Sequence, residues 1–521
     1  MEVNIIRKKI RQGLVRIAYI YPGTYEFMVS SLSSHIIYYL TNSLFDEVYL
    51  ERFHVKNLYG EEPFPRSLET NSPLKDFELI LTSIHYEPTI SNLVRILYYS
   101  GVDPIREKRE IPVIAGGPAV MGNPHPYNHI VDAYIIGEAE DTLPKIINAW
   151  IRFRGDKKSF LEEIARYEFV YVPGISTDKV YRRWVEDINT SFYPVKQFWD
   201  SEREPVFGRG FILETSRGCM YLCRFCIEGR LFKPFRRRTY SVLKRLVDEG
   251  LEATGVDRVL VYSLVYPSTI DDKKILEYIV EQGIKVSLPS MRIDYLDNDT
   301  LELIKNSGQK TLTIAPETFN PLIQKIIAKY INIDLIDAGI ERIIDKGFDL
   351  KLYLIYGFKG LDPTIYDKNN IEYLKKLIKK AREKNVKISI SLNPLVPKPH
   401  TPFQWIGMIS LEKARNILRL YRRELRGYVE TRPLEIGWAW IQASIALADE
   451  NIGRILIEWS IEGGDLGSWR RVLTRRNYST DYVFKGYNVE EKIPWNNIVI
   501  YENLDKTLYN EYYSIKQLTS K

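Results

Sequence analysis

Cysteine is almost absent from this chain: three residues among 521, at positions 219, 223 and 226. That is too few for a disulfide framework, and unpaired thiols fit a reducing compartment. Histidine is nearly as scarce, with six in all. Those nearest the cysteines in sequence are His129 and His400, so the closely paired Cys and His of a closed zinc site are not spelled out. No run of eighteen apolar residues occurs, and nothing in the chain reads as a membrane span. The opening Met-Glu-Val-Asn-Ile-Ile-Arg-Lys-Lys-Ile lacks the apolar core and cleavage site of a secretory signal. A cytoplasmic protein is expected, with peripheral attachment to a membrane left open. An excess of one charge is lacking too: the net charge is +6, and Lys and Arg are spread widely, so composition alone does not point to nucleic acid. Few cysteines and methionines beside many isoleucines and 36 tyrosines give a thermophile-like composition.

What is present is globular, with 45% hydrophobic and 27% charged residues over a length that suggests two or three domains. Residues 1–150 alternate apolar runs with helical periodicity, the pattern of a doubly wound, Rossmann-like parallel α/β sheet. Strands are expected at Val15–Tyr21, Glu47–Leu50, Leu79–Ser83, Val113–Ala115 and Ala133–Ile136. Loops at the carboxyl ends of such strands line a ligand crevice. There Gly116, Gly117 and Gly137, with Glu138 beside them, leave room for a bulky cofactor to approach the backbone. Residues 151–205 read as a linker packed between domains. Residues 206–405 repeat strand then helix, as a central partial TIM-type (β/α)6 barrel would, with strands at Phe211–Ser216, Arg258–Leu264, Lys285–Pro289, Lys310–Ala315, Lys351–Tyr356 and Lys387–Asn393. The catalytic face of such a barrel is formed by the loops after its strands. Residues 406–521 read as a mostly helical extension.

All three cysteines lie within eight residues, in C-x3-C-x2-C spacing after the first barrel strand. Clustered thiolates are ligands for an iron–sulfur cluster, zinc or Cu(I). Three of them on a cube of four irons leave one iron open, a place to bind and reduce something. A zinc site completed by a distant histidine or a partner is the alternative.

Cys219-Met-Tyr-Leu-Cys223-Arg-Phe225-Cys226, with an aromatic residue before the last cysteine, resembles the signature of the radical S-adenosylmethionine (SAM) superfamily. The resemblance implies a [4Fe-4S] cluster on the three cysteines, with SAM chelated to the open iron and cleaved by an electron from a ferredoxin- or flavodoxin-type donor. The resulting 5′-deoxyadenosyl radical would take hydrogen from an unactivated carbon. It further implies that Phe225, Glu317, Gly357, Ser263 and Arg292 bind SAM: Glu317, after Ile314-Ala-Pro, through the ribose hydroxyls, and Gly357 by admitting adenine to the backbone. Ser263 sits where the methionyl amino group is often held, but the usual Gly-Gly-Glu is missing there. Arg292 suits a carboxylate, by its bidentate fork, or a structural ion pair. Ala115-Gly-Gly-Pro118, Ile136-Gly-Glu-Ala-Glu140 and Leu395-Val-Pro-Lys-Pro-His400-Thr-Pro-Phe-Gln-Trp405 resemble the subfamily with an N-terminal cobalamin-binding-type domain. The D-x-H-x-x-G motif that would ligate cobalt is missing, so cobalamin binding stays open. His400 could donate or accept a proton near neutral pH.

Methyl transfer or carbon–carbon bond formation are the expected outcomes, with a membrane lipid as one candidate substrate. Arg230-Leu-Phe-Lys-Pro-Phe-Arg-Arg-Arg238 interleaves basic and aromatic residues beside the cysteines, which keeps an RNA-modifying enzyme as an alternative. A non-catalytic iron–sulfur sensor is a third reading.

Overall fold

The computed structural model describes residues 2–427 and 429–520. They form two compact units, one of Met1–Arg209, Ser444–Ser479 and Lys492–Glu502, the other of Gly210–Ala443, Thr480–Glu491 and Asn503–Lys521. Among the described residues, no helix is long and apolar enough to cross a membrane.

The first unit is built on strands β1 (Val15–Ile20), β2 (Val48–Phe53), β3 (Leu79–Ser83), β4 (Val113–Gly116), β5 (Ala133–Ile135) and β6 (Val170–Tyr171). Their order is β2-β1-β3-β4-β5-β6, parallel throughout except for β6, which runs antiparallel to β5. The strands are near-continuous apolar runs because helices cover both faces. On one face α1 (Leu32–Leu44) and α3 (Ala139–Arg152) join a core with Ile17, Leu50, Leu79, Leu81 and Ile114. On the other lie α2 (Ile90–Tyr99) and α11 (Gly453–Ile461), which pack together. Each large apolar side chain sealed in this way contributes about 1.5–3 kcal/mol. The order reverses between β1 and β3, and ligands of doubly wound sheets bind at that switch point. Strand β6 comes from the stretch read as linker: two apolar residues are too short a run to signal a strand.

The second unit carries β7 (Phe211–Glu214), β8 (Arg258–Tyr262) and β9 (Lys285–Ser287) as one parallel sheet, and β10 (Thr311–Glu317), β11 (Asp349–Tyr356), β12 (Ile388–Pro394) and β13 (Glu430–Pro433) as another. A single parallel bridge, Met291 to Ile314, links the two. The result is the expected partial barrel with one further strand, β13, whose polar Glu-Thr-Arg-Pro carries no strand-like alternation. Crossover helices begin on caps written in the sequence. Thr269 and Asp272 form a capping box for α5 (Ile270–Glu281), Asp297 caps α6 (Asn298–Asn306), and Asn320 followed by Pro321 starts α7 (Pro321–Ile327). Each such cap is worth about 1 kcal/mol. Preceding α5, α4 (Tyr240–Thr254) follows β7; α8 (Ile333–Asp345), α9 (Pro363–Glu383) and α10 (Leu411–Glu424) complete the ring. Helices α12 (Leu466–Arg476) and α13 (Leu504–Thr519) belong to the first and second units respectively.

Candidate active site

The cysteine loop leaves the end of β7 and is closed at its base, where Ser216–Arg217 pairs antiparallel with Arg236–Arg237. Gly218 makes the turn at φ +88°, and a Cβ there would stand 2.3 Å from the Phe232 carbonyl oxygen, so only glycine fits. Cys219 Sγ accepts the Tyr221 backbone N–H at 3.4 Å, and the Cys226 N–H donates to the Cys223 carbonyl at 3.0 Å. Arg224, inside the motif, anchors the loop. Its N–H donates to the Ile327 carbonyl at 2.8 Å, and its guanidinium donates to the carbonyls of Lys325 and Ile326 and, at 3.1 Å, to Ser514 Oγ on α13. A cation on the open carbonyls at the end of α7 is favourable placement.

All three thiols are free. Burial pushes each upward, Cys226 to about 12, while Lys329 and Arg292 draw Cys219 and Cys223 back toward the thiolate. Such thiols lose their protons when a metal takes them. Among the described residues no three of His, Cys, Asp and Glu converge tightly enough for a single metal ion. The loop supplies three soft donors and no fourth, a set that suits an iron–sulfur cube with one open iron.

Around this loop the barrel gathers most of the expected residues. A register shift between Ile314 and Glu317 bulges β10, and Glu317 takes a left-handed φ of +63°; bulges re-aim side chains at active sites. Its carboxylate meets Lys329 Nζ at 2.9 Å, with both groups buried, and burial holds Glu317 above the usual carboxylate range despite the lysine. Glu317 also lies close enough to Cys223 to influence its thiol. Arg292 is bidentate to Asp294 at 3.0 and 2.8 Å and lies 3.8 Å over the Tyr221 ring. Ser263 Oγ meets Ser216 Oγ at 2.7 Å and donates to the Val265 carbonyl. Phe225 packs on an apolar cluster of Ile323, Phe358, Leu395, Phe403 and Ile515. Gly357, at φ +84°, leaves no space for a Cβ beside Ile409 and borders a cavity of about 480 Å³ also lined by Phe358, Asp367 and Met408. His400 is 4% exposed at φ +57°, its N–H donating to Gln404 Oε1 at 2.9 Å, while Trp405 stacks on Tyr509.

The basic run beside the cysteines is not a solvent-facing patch. Arg230 is fully buried against Glu511 at 2.7 Å, and Arg238 is buried against Glu214 at 2.8 Å. Arg236 is 8% exposed, its guanidinium donating to the Pro234 carbonyl at 3.1 Å. Arg237 alone among these arginines is well exposed, and it faces Asp271. Arg217 joins the same network, donating to both carboxylate oxygens of Glu214 at 2.8 and 3.0 Å. Burial pushes the Glu214 carboxyl up, but the two arginines outweigh it and hold the group at about 2.

In the first unit the singled-out residues have partners within the fold. A Cβ on Gly117, at φ +104°, would lie 2.6 Å from the Ile84 carbonyl oxygen, and one on Gly137 would lie 2.6 Å from that of Arg183. Glu138 is buried beside Arg182 and accepts the Val185 N–H at 3.1 Å. Gly116 alone has space, its nearest Cβ neighbour lying at 3.9 Å. His35 is buried within α1, its ring against Phe198. His85 stands exposed just past β3, with Ser33 Oγ and Ser83 Oγ at 3.0 and 2.9 Å from Nε2.

A family profile described as radical SAM proteins, N-terminal, matches residues 33–173, and the radical SAM superfamily profile matches residues 213–364. The chain belongs to the radical SAM superfamily. It is therefore a radical SAM enzyme, using a [4Fe-4S] cluster and SAM. An uncharacterised protein of Methanocaldococcus jannaschii, MJ0966, is 29% identical over 449 residues, 84% of this chain and 90% of its own. Among solved structures, the cobalamin-dependent S-adenosylmethionine radical enzyme OxsB with aqua-cobalamin bound aligns over 97% of this chain and 80% of its own, at 12% identity and a TM-score of 0.49. The radical S-adenosylmethionine methyltransferase TsrM from Kitasatospora setae aligns over 73% of this chain and 75% of its own, at 12% identity and a TM-score of 0.46.

Two residues of this radical SAM site escape a reading of the sequence. Lys329 follows α7 in a chain full of lysines, and nothing local marks it as the buried partner of Glu317. Arg224 lies inside the motif, but its anchoring partners are about 100 and 290 residues away.

Proposed function

We propose that the protein reductively cleaves SAM and uses the 5′-deoxyadenosyl radical to take hydrogen from an unactivated C–H bond of a substrate. The observation that carries this reading is the placing of Glu317 and Lys329, a buried ion pair on a bulged strand end, within electrostatic reach of Cys223. When bound, a [4Fe-4S] cluster would supply the electron that cleaves SAM and an open iron on which SAM could be held. The chain supplies the rest. Cys219, Cys223 and Cys226 would hold the cluster, and Glu317 would accept hydrogen bonds from the ribose hydroxyls. Lys329 donates to that carboxylate and aims it, opposing the protonation that burial favours. Arg292 and Ser263 would serve the methionyl end, and Phe225 and the Gly357 backbone the adenine. The apolar cluster behind Phe225 excludes water, which protects a radical from quenching.

The test is anaerobic reconstitution with iron and sulfide, then addition of dithionite and SAM. Formation of 5′-deoxyadenosine and methionine is the expected result. An intact cluster with no 5′-deoxyadenosine would favour a non-catalytic sensor instead.

A second reading, methyl transfer through cobalamin, is favoured by one observation. His85, Ser83 and Gly116 lie together at the carboxyl ends of β3 and β4, and Ser83 is paired in register with Gly116, next to the switch point where a doubly wound sheet takes its ligand. Titrating the protein with hydroxocobalamin separates the readings: a saturable shift of the corrin absorption bands, altered in His85→Ala, supports cobalamin, and an unshifted spectrum removes it.

A further inference from the structure

The inner wall of the barrel carries a row of polar side chains that the fold itself does not use. On β11 and β12 burial alternates strictly. Leu350, Leu352, Leu354, Tyr356, Ile388, Ile390 and Leu392 are buried on the side covered by helices, whereas Lys351, Tyr353, Ile355, Ser389, Ser391 and Asn393 are only half-buried on the other. Side chains alternate across a strand, so these six face the lumen. Register sets them in rows: Thr313 of β10 beside Lys351 and Ser389, Tyr353 beside Ser391, and Ile355 beside Asn393.

A parallel wall sealed from water would be apolar here, or its polar groups would bond one another; this one is polar, half-buried and not bonded within itself, so its groups are left to solvent or to a ligand. Among the described residues, Thr313, Lys351, Tyr353, Ser389, Ser391 and Asn393 show no side-chain hydrogen bond, and no carboxylate lies within ion-pair distance of Lys351. The contact recorded for the Lys351 ammonium is with the Tyr353 ring, 5.1 Å from its centroid. Nearby carboxylates are engaged elsewhere: Asp349, on the same face two residues before Lys351, accepts the Lys387 N–H at 2.9 Å, Glu214 is held by Arg217 and Arg238, and Glu317 by Lys329.

We infer that the lumen binds a small, polar, anionic substrate, a carboxylate or phosphate compound whose charged group meets Lys351 and whose polar groups meet Ser389, Ser391, Asn393 and Tyr353. A lipid chain would strand all of these groups without partners, at a cost that apolar contact cannot offset. From Lys351 to Ile355 the strand climbs about 13 Å toward the cysteine loop, so an elongated molecule anchored at Lys351 presents its far end to the adenosyl radical. The inference rests on the radical reading for the chemistry at that far end, and on the wall alone for the class of substrate.

The experiment uses the reconstituted full-length enzyme with saturating SAM, which fills the methionyl site. Binding of succinate and of inorganic phosphate is followed by calorimetry at low ionic strength, and sedimentation with phosphatidylcholine vesicles serves as the apolar probe. At least one anion is expected to bind with one site per chain. Lys351→Met should weaken it by about tenfold or more, as expected for a lost charged hydrogen bond. Lys351→Arg should restore it, and Asn393→Ala should weaken it about threefold with no change in charge. Binding of neither anion, equal binding by Lys351→Met, or vesicle binding in their place would overturn the inference. Cleavage of SAM by the wild type is measured alongside. Cleavage without anion binding removes this inference and leaves the radical reading intact; anion binding without cleavage does the reverse.

Discussion

The carboxyl edges of the two α/β units are built by the same rules and end up differently. In the doubly wound sheet the residues that look most like a cofactor cradle are occupied by the chain itself: Gly117 and Gly137 face backbone carbonyls, and Glu138 is held by Arg182 and Val185. In the barrel, glycines such as Gly218 also serve the fold, yet three thiols and a polar inner wall remain unspent, beside a glutamate set at a left-handed φ and paired with Lys329. A site is therefore marked by polar groups that packing leaves unused, and not by glycines, which packing consumes as readily as ligands do.

The largest expected effect tests the unspent side of that contrast. Cys226→Ala removes the thiol that its surroundings push up to about 12, and 5′-deoxyadenosine formation should fall at least about 100-fold, with iron content falling in step. Full activity with iron retained would mean that the cluster lies elsewhere.

Next is Lys329→Met, which strands a buried carboxylate. Breaking one side of a buried pair costs about 3–5 kcal/mol, so the melting temperature should drop and the KM for SAM rise. The double variant Glu317→Gln with Lys329→Met should recover most of the stability but not the KM, because the unpaired charge has gone while a neutral amide stands in for the anionic ribose acceptor. Recovery of both would reduce the pair to a structural role.

Asp367 offers a smaller and pH-dependent contrast. It lines the cavity beside Gly357, its carboxylate accepts the Tyr421 hydroxyl at 3.0 Å, and the Tyr356 hydroxyl nearby is buried without a partner. Burial pushes Asp367 up to about 7 from 3.8, the Tyr421 bond opposing. A raised carboxyl means that the folded state holds a proton the unfolded chain has released. Stability from this group is present below about pH 4 and is lost as pH rises through 7, by up to about 4 kcal/mol. Asp367→Asn should therefore be more stable than the wild type at pH 8 and equal to it near pH 4. Parallel pH profiles by denaturant unfolding would show that the carboxyl is instead already ionised.

Much of this was legible beforehand. The five parallel strands of the first sheet and six of the barrel announce themselves as Val-, Ile- and Leu-rich runs, and the cysteine triad by its spacing. Partners distant in sequence stayed hidden, because nothing local says that Lys329 turns back on Glu317 or that Arg230 is buried against Glu511. The same blindness made the Arg230 to Arg238 run look like a nucleic-acid patch: composition shows charge, and only the fold shows which carboxylates have neutralised it. Strand β13 was missed since its four residues borrow their conformation from β12.

The smallest effect closes the contrast from the other side. Gly116 and Gly117 are adjacent, and a cofactor cradle would need both. Packing needs only Gly117, where a Cβ would lie 2.6 Å from a carbonyl oxygen and the backbone is left-handed, whereas at Gly116 it would meet ordinary contact at 3.9 Å. Gly117→Ala should cost about 1–3 kcal/mol through backbone strain and Gly116→Ala within about 0.5 kcal/mol, read from denaturant unfolding of the protein without added cofactor. If the two variants are equally stable while Gly116→Ala abolishes a corrin absorption shift, Gly116 is reserved for a ligand and the first sheet is not as self-satisfied as its glycines suggest.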